Sequence, residues 1–152
     1  MDDDAVEAYD KYADELVRFA TSLVGPFDAD DVTASALVRV LQRSAWRDVA
    51  DLRPYLFRAV INEARGRRRS ADRRMRRETD AARAVGEPTS AFVRVEVLDA
   101  IRRLTVQQRA VVFMTYWLDH SAAEVAQTLH VSVRTVEREL TRARRALEVL
   151  LR

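Results

Sequence analysis

The sequence contains no cysteine, which excludes disulfides, thiolate chemistry and cysteine-ligated zinc fingers. Glycine and proline are nearly as scarce, with three of each. That is too few for a β-sandwich or barrel, which needs a turn signal about every 8–12 residues. No apolar run approaches the roughly 20 residues of a membrane span, so no membrane insertion is expected. The N-terminus, Met1 followed by Asp2, Asp3 and Asp4, lacks the basic flank and apolar core of a signal peptide. The expected location is the cytoplasm. His120 and His130 are the only histidines, and a helix and two loops separate them, which is not the spacing of a metal pair. There is no glycine-rich phosphate loop, and the acids crowd the first helix as a solvated face. No cofactor, no metal and no catalytic residue are expected.

What is present is helix-forming and charged. The 152 residues, 48% hydrophobic and 33% charged, suffice for one ordinary domain or two small helical ones. Of 26 basic residues, Lys11 is the single lysine. The net charge of +2 conceals a strong asymmetry. Residues 1–31 carry a balance of −8, residues 58–83 one of +6, and the stretch from Val133 onward one of +3. Separate basic blocks suggest two contact surfaces for a polyanion. A solvated helix face is the plain alternative for either block taken alone.

Apolar periodicity places the elements. Val6, Tyr9, Ala13, Leu16, Phe19, Ala20 and Leu23 form one stripe, stopped by Gly25-Pro26. A second helix starts near Asp28, with Val32, Ala36, Leu37, Val40 and Leu41 as its inner face. Trp46 to Asp51 reads as a polar loop holding one large aromatic. A third helix begins near Leu52, tolerates Pro54 in its first turn, and runs on into arginines from Arg65. Between Ser70 and about Ser90 the apolar period disappears, Gly86 to Ser90 is the clearest break, and the stretch reads as a linker that is partly helical at its start. The expectation is an all-α chain of two small helical domains, residues 1–70 and 91–152, joined by a linker over 71–90.

The second domain opens on Phe92, Val95, Leu98 and Ile101. Thr105-Val106-Gln107-Gln108 and Ser121-Ala122-Ala123-Glu124 both fit the capping box, in which a hydroxyl and a carboxamide or carboxylate satisfy each other's free backbone N–H groups. The first opens a helix with Ala110, Phe113, Tyr116 and Trp117 on one side. The second opens a short helix, about 121–129, with Val125, Ala126 and Leu129 inside. The turn His130-Val131-Ser132 leads to a last helix carrying Val136, Leu140, Ala143, Leu147 and Leu150. A short helix, a three-residue turn and a longer helix is the helix-turn-helix arrangement. Small Ala126 suits the crossing and Val131 the apolar turn position. His130 stands where φ is positive and glycine is usual, a region histidine tolerates better than most residues. Ser132, Arg134, Thr135 and Arg138 start the exposed face that would reach base edges. Arg142, Arg144 and Arg145 follow, where phosphate contacts would set position. An ordinary helical hairpin is the competing reading.

Ser121 to Leu151 resembles the promoter-recognition domain of the extracytoplasmic-function (ECF) sigma factors, and Leu104 to Arg109 resembles that family's lead-in. Asp28 to Gln42 falls where the family carries its polymerase-clamp helix. Arg53 to Ser70 resembles its minus-ten helix, with Tyr55, Leu56, Phe57, Arg58 and Asn62 matching. The resemblance covers nearly the whole chain in the right order. Two places depart from the family pattern: Ala34-Ser35-Ala36-Leu37 replace a Gln-Glu-Thr-Phe run, and Glu137 and Glu139 stand where basic residues are common.

The resemblance implies two small helical domains, core RNA polymerase and promoter DNA as partners, and an anti-sigma factor as a third kind of partner. It places polymerase contacts at Asp31, Val32, Leu37 and Arg39. Minus-ten strand contacts fall on Trp46, Arg58, Asn62 and Arg65. Minus-thirty-five duplex contacts fall on Ser132, Arg134, Thr135, Arg138, Arg142 and Arg145. Unpaired bases need an aromatic or guanidinium platform, yet core packing is the expected role of at least two of Trp46, Tyr55 and Phe57. The alternatives are a sigma-like regulator that binds duplex without polymerase, and a module that binds an anti-sigma protein without supporting initiation.

Overall fold

A computed structural model describes residues 3–85, 100–101 and 103–150, and every regular element among them is helical. Helix α1 spans Asp3–Val24 and α2 spans Ala29–Leu41, with a 3₁₀ turn at Ser44–Asp48. Helix α3 spans Leu52–Val85. Helix α4, Val106–Val112, passes into one wide π turn, Phe113–Trp117. Helices α5, Ala122–Leu129, and α6, Val133–Leu150, follow.

The first three helices pack as a bundle. Leu16, Phe19, Ala20 and Leu23 of α1 meet Val32, Ala36, Leu37 and Val40 of α2, and Leu56, Phe57, Val60, Ile61 and Ala64 of α3. The Phe19 and Phe57 rings lie 4.6 Å apart, tilted by 49°, a favourable aromatic geometry. The beginning of α1 differs from the expected stripe. Ala5 and Ala8 face inward, while Val6 and Tyr9 are exposed. Positions 5, 8, 12, 16, 19 and 23 keep unbroken three-and-four spacing, and the larger residues beside the alanines drew the sequence reading off by one position.

Three further differences have local causes. Trp46 belongs to the 3₁₀ turn rather than an irregular loop, and its indole N–H donates to the Leu41 carbonyl at 3.2 Å. That bond satisfies a carbonyl in the last turn of α2, which has no partner within its own helix. Helix α3 continues through the expected linker to Val85, so the boundary drawn at residue 70 falls inside it. The apolar period disappears there, but arginine and alanine remain good helix formers and no proline interrupts the run. The Gly86 to Ser90 break, Phe92, Val95 and Leu98 lie outside the described residues. Finally, the π turn carries Tyr116 and Trp117 away from the core, with Trp117 70% exposed, while Met114 is fully buried. A π turn adds a residue to the helical repeat, so simple spacing fails beyond Met114.

The C-terminal unit docks on the bundle. Val106, Ala110, Val111 and Met114, with Val125, Ala126 and Val136, join one apolar core with the residues of α1 to α3. Phe113 approaches Phe19, their centroids 5.4 Å apart.

Both capping boxes form. Thr105 Oγ1 accepts from the Gln108 N–H at 3.1 Å, and Gln108 Oε1 accepts from the Thr105 N–H at 3.0 Å. At Ser121 the matching distances are 3.2 Å and 2.7 Å. The Ser121 N–H, and then its hydroxyl, hold the Glu124 carboxyl below its ordinary 4.5. A depressed folded-state pKa contributes stability that is complete above the ordinary value and lost as pH falls through the folded one. The acid limb of a thermal-unfolding series below pH 5 is therefore expected to be shallower for Glu124→Gln than for the unaltered chain. Identical slopes would remove the box from the acid response.

Candidate nucleic-acid interface

The end of α5 and the start of α6 form the helix-turn-helix. His130 adopts φ 55° and ψ 45°, the left-handed conformation. In that shape the Val131 N–H reaches back to the Ala126 carbonyl at 3.1 Å, which closes α5. Ala126 and Val125 are buried and Val131 is half-buried. Ser132 then caps α6: its hydroxyl accepts from the Thr135 N–H at 3.1 Å and lies 2.9 Å from Thr135 Oγ1. Of the six expected duplex contacts, Ser132 and Thr135 are thus already engaged in starting the helix.

The four arginines lie on one side. Steps of four, four and three place Arg134, Arg138, Arg142 and Arg145 within an arc of about 80°, and all four are exposed. Val136 and Ala143 occupy the opposite, buried side. Arg144 falls outside the row. Its Nε donates to the Tyr116 hydroxyl at 2.7 Å and its guanidinium lies over the Tyr116 ring, fastening α6 to the π turn. A row of guanidiniums on a helix with a free face can enter a major groove and bind phosphates and guanine edges.

The second surface lies between α2 and α3. Arg39, Arg43, Tyr55, Arg58, Asn62 and Glu63 line a groove of about 220 Å³. Arg58 lies over the Tyr55 ring at 5.6 Å, and Arg39 pairs with Glu63 at 2.9 Å. The groove brings Arg58 and Asn62 together and adds Arg39 and Arg43, which sequence reasoning had assigned to polymerase or passed over. Arg65 is exposed but reaches out of this groove to Gln107 Oε1 at 3.0 Å. Phe57 is core, and Trp46 and Tyr55 are half-buried against it.

The expected polymerase contacts divide. Val32 and Leu37 are wholly buried between α1 and α3, so they shape the helix and offer no side chain to a partner. That corrects their assignment as direct contacts: apolar residues on the inner stripe of α2 go to the core first. Asp31 and Arg39 are exposed, as are Ala34 and Val38. Arg67 of α3 braces this face, 3.7 Å from Asp31 and donating to Ser35 Oγ at 3.2 Å.

Arginines also build the seam between the two units. Arg109, 4% exposed, donates from Nη1 to the Leu23 carbonyl at 2.6 Å and from Nε to the Ile101 carbonyl at 2.9 Å. Arg58 donates from Nη1 to the Thr128 carbonyl at 3.0 Å. Arg53, ion-paired with Glu15, lies 3.5 Å from His120 Nε2. The position of Arg109 was readable in principle, because 106, 109, 110 and 113 share one helical face and Val106 and Ala110 are apolar.

A helix-turn-helix with an exposed arginine row, joined to a helical bundle with an arginine-lined groove, is the two-part body of a transcription initiation factor. Residues 8–74 match the family model of sigma-70 region 2, and residues 94–147 match that of sigma-70 region 4. The chain is 32% identical over 154 residues to the ECF RNA polymerase sigma factor SigL of Mycobacterium tuberculosis, covering 94% of this chain and 86% of that protein. It is 33% identical over 136 residues to the RNA polymerase sigma-E factor of Streptomyces antibioticus, covering 86% of this chain and 74% of that protein. The chain belongs to the ECF sigma factors of the sigma-70 family. Its fold also resembles that of the sigma factor RpoE, solved in complex with the anti-sigma factor NepR from Bartonella quintana. That match has a TM-score of 0.62 over 97% of this chain and 96% of that one, at 21% identity.

Replacing Arg109 with methionine keeps much of its volume and removes the charge-assisted bonds to the Leu23 and Ile101 carbonyls. Arg109→Met is expected to lower stability by about 2–4 kcal/mol, read as a lower urea midpoint. Arg103→Met, at an exposed site, should stay within about 0.5 kcal/mol. Equal midpoints for the two variants would show that Arg109 contributes nothing to the seam.

Proposed function

We propose that this chain joins core RNA polymerase, recognises a two-part promoter and starts transcription in the cytoplasm, without catalysing a reaction itself. The observation that carries this reading is the exposed Arg134, Arg138, Arg142 and Arg145 row on the second helix of a helix-turn-helix. In this proposal the row reads the minus-thirty-five duplex, with Ser132 and Thr135 fixing the entry of the helix. The α2–α3 groove takes the unpaired minus-ten strand: Arg58 and Arg43 neutralise its backbone, Asn62 reads a base edge, and Arg65 follows the strand outward. Trp46 supports the groove from the end of α2. The exposed Asp31 and Arg39 face, with Ala34 and Val38, is the polymerase contact. The same exposed face and the row of α6 are the surfaces an anti-sigma protein would have to cover.

The full chain is expected to co-purify with core polymerase and to support run-off transcription from a promoter selected with that complex. Arg138→Ala and Arg142→Ala should each weaken duplex binding. Affinity should fall roughly a thousandfold or more between 50 and 200 mM salt if about six phosphates are neutralised. A flat salt response would refute the role of α6, and a polymerase-independent footprint would favour a duplex-binding regulator instead.

Arg58 and Arg65 now bond to the C-terminal unit, so in this proposal capture of the unpaired strand follows separation of the two units. The absence of native cysteine makes the test clean, because Asp48→Cys and Gln127→Cys can carry a dye pair. Energy transfer between them should drop when core polymerase is added. Unchanged transfer would mean that Arg58 and Arg65 stay bonded to the C-terminal unit and do not contact the strand.

A further inference from the structure

A carboxylate beside a phosphate-binding arginine row weakens binding by repulsion, and of the three on α6, Glu137, Glu139 and Glu148, the first two stand among the row's arginines in the sequence. The structure separates them. Glu137 is exposed. Glu139 is turned in, its side chain 12% exposed, between the arginine row and the buried face.

Its carboxylate is held on both oxygens. Oε2 accepts from Gln108 Nε2 at 3.1 Å, and Oε1 lies 3.3 Å from Arg142 Nη1 and 4.0 Å from Arg138 Nε. Gln108 cannot turn freely, because its other amide atom, Oε1, accepts from the Thr105 N–H at the start of α4. A continuous chain of bonds therefore runs from the N-cap of α4 through Gln108 and Glu139 to the Arg142 guanidinium. Arginine is a long side chain whose rotamer freedom must be lost when it binds. One tethered nitrogen fixes its direction and leaves the rest of the donor fork available. Arg142 is still 60% exposed, so the tether aims it without hiding it.

We propose that Glu139 is a positioning residue for the DNA-binding face: it is not a base reader or a repulsive flaw, but the anchor that orders Arg142 before DNA arrives. This rests on the duplex-binding reading of α6. Charge counting and positioning give opposite signs, which makes the inference decidable. Removing a negative charge next to the row should tighten binding if only net charge matters. It should loosen binding if the carboxylate aims the arginine.

The probe is a fluorescein-labelled duplex recovered from a random-sequence pool by selection on the full-length chain, with a shuffled duplex of the same length beside it. Anisotropy titrations across a salt series are expected to show Glu139→Gln weakening the selected complex by about fivefold or more, with the salt slope reduced by about one. Glu137→Gln should bind as well as the unaltered chain or better. In an Arg142→Ala background, Glu139→Gln should have no further effect, because the residue it aims is gone. A merely structural role would reduce binding equally in both backgrounds. The inference is overturned if Glu139→Gln binds as tightly or more tightly, or if its loss persists without Arg142. If Arg138→Ala and Arg142→Ala leave the titrations unchanged and the salt slope is flat, the reading of α6 itself has failed, and this inference falls with it.

Discussion

The two helical units are joined by reciprocal arginine caps. Arg109 of the C-terminal unit donates to Leu23, in the last turn of α1. Arg58 of the N-terminal unit donates to Thr128, in the last turn of α5. Carbonyls at a helix C-terminus lack intrahelical partners and carry the negative end of the helix dipole. A guanidinium is well suited to both, and each unit thereby completes a helix belonging to the other. Around these bonds Phe19, Phe57 and Phe113 close an apolar contact, so the charge on Arg109 is buried together with its partners rather than stranded.

That constraint explains how the basic residues are shared out. In a chain with 26 cations, net charge alone says little about which ones face DNA. Arg109 is spent on the seam, Arg144 on Tyr116, Arg67 on Asp31 and Ser35, and Arg39 on Glu63. The arginines on α6 with open surface around them form a coherent row because the buried residues between them fix their phase. The departures from the family pattern read differently in this light. Glu139 faces Gln108 and Arg142, and Ser35 accepts a hydrogen bond from Arg67, which reaches across from α3.

The sequence was most informative where one local rule determined one shape. Both capping boxes, the short helix ending at Leu129 and the positive φ at His130 follow from neighbouring residues, and the structure has them. It was least informative where distant residues decide. Nothing near Arg109 announces that its partner is the Leu23 carbonyl, 86 positions away. Val32 and Leu37 lie where the family carries its polymerase-clamp helix, but their burial depends on α1 and α3. The extension of α3 to Val85 was legible only at its start for another reason: the apolar period disappears there, while arginine and alanine still favour a helix.

The arginine row on α6 has a chemical consequence of its own. A guanidinium keeps its charge at every physiological pH, and it has no amine to be acetylated. With Lys11 on α1 as the single lysine side chain, lysine acetylation, which neutralises basic surfaces on many DNA-associated proteins, has no acceptor on this helix. Neither a pH change nor acetylation can discharge such a face, whereas covering it with another surface can silence it.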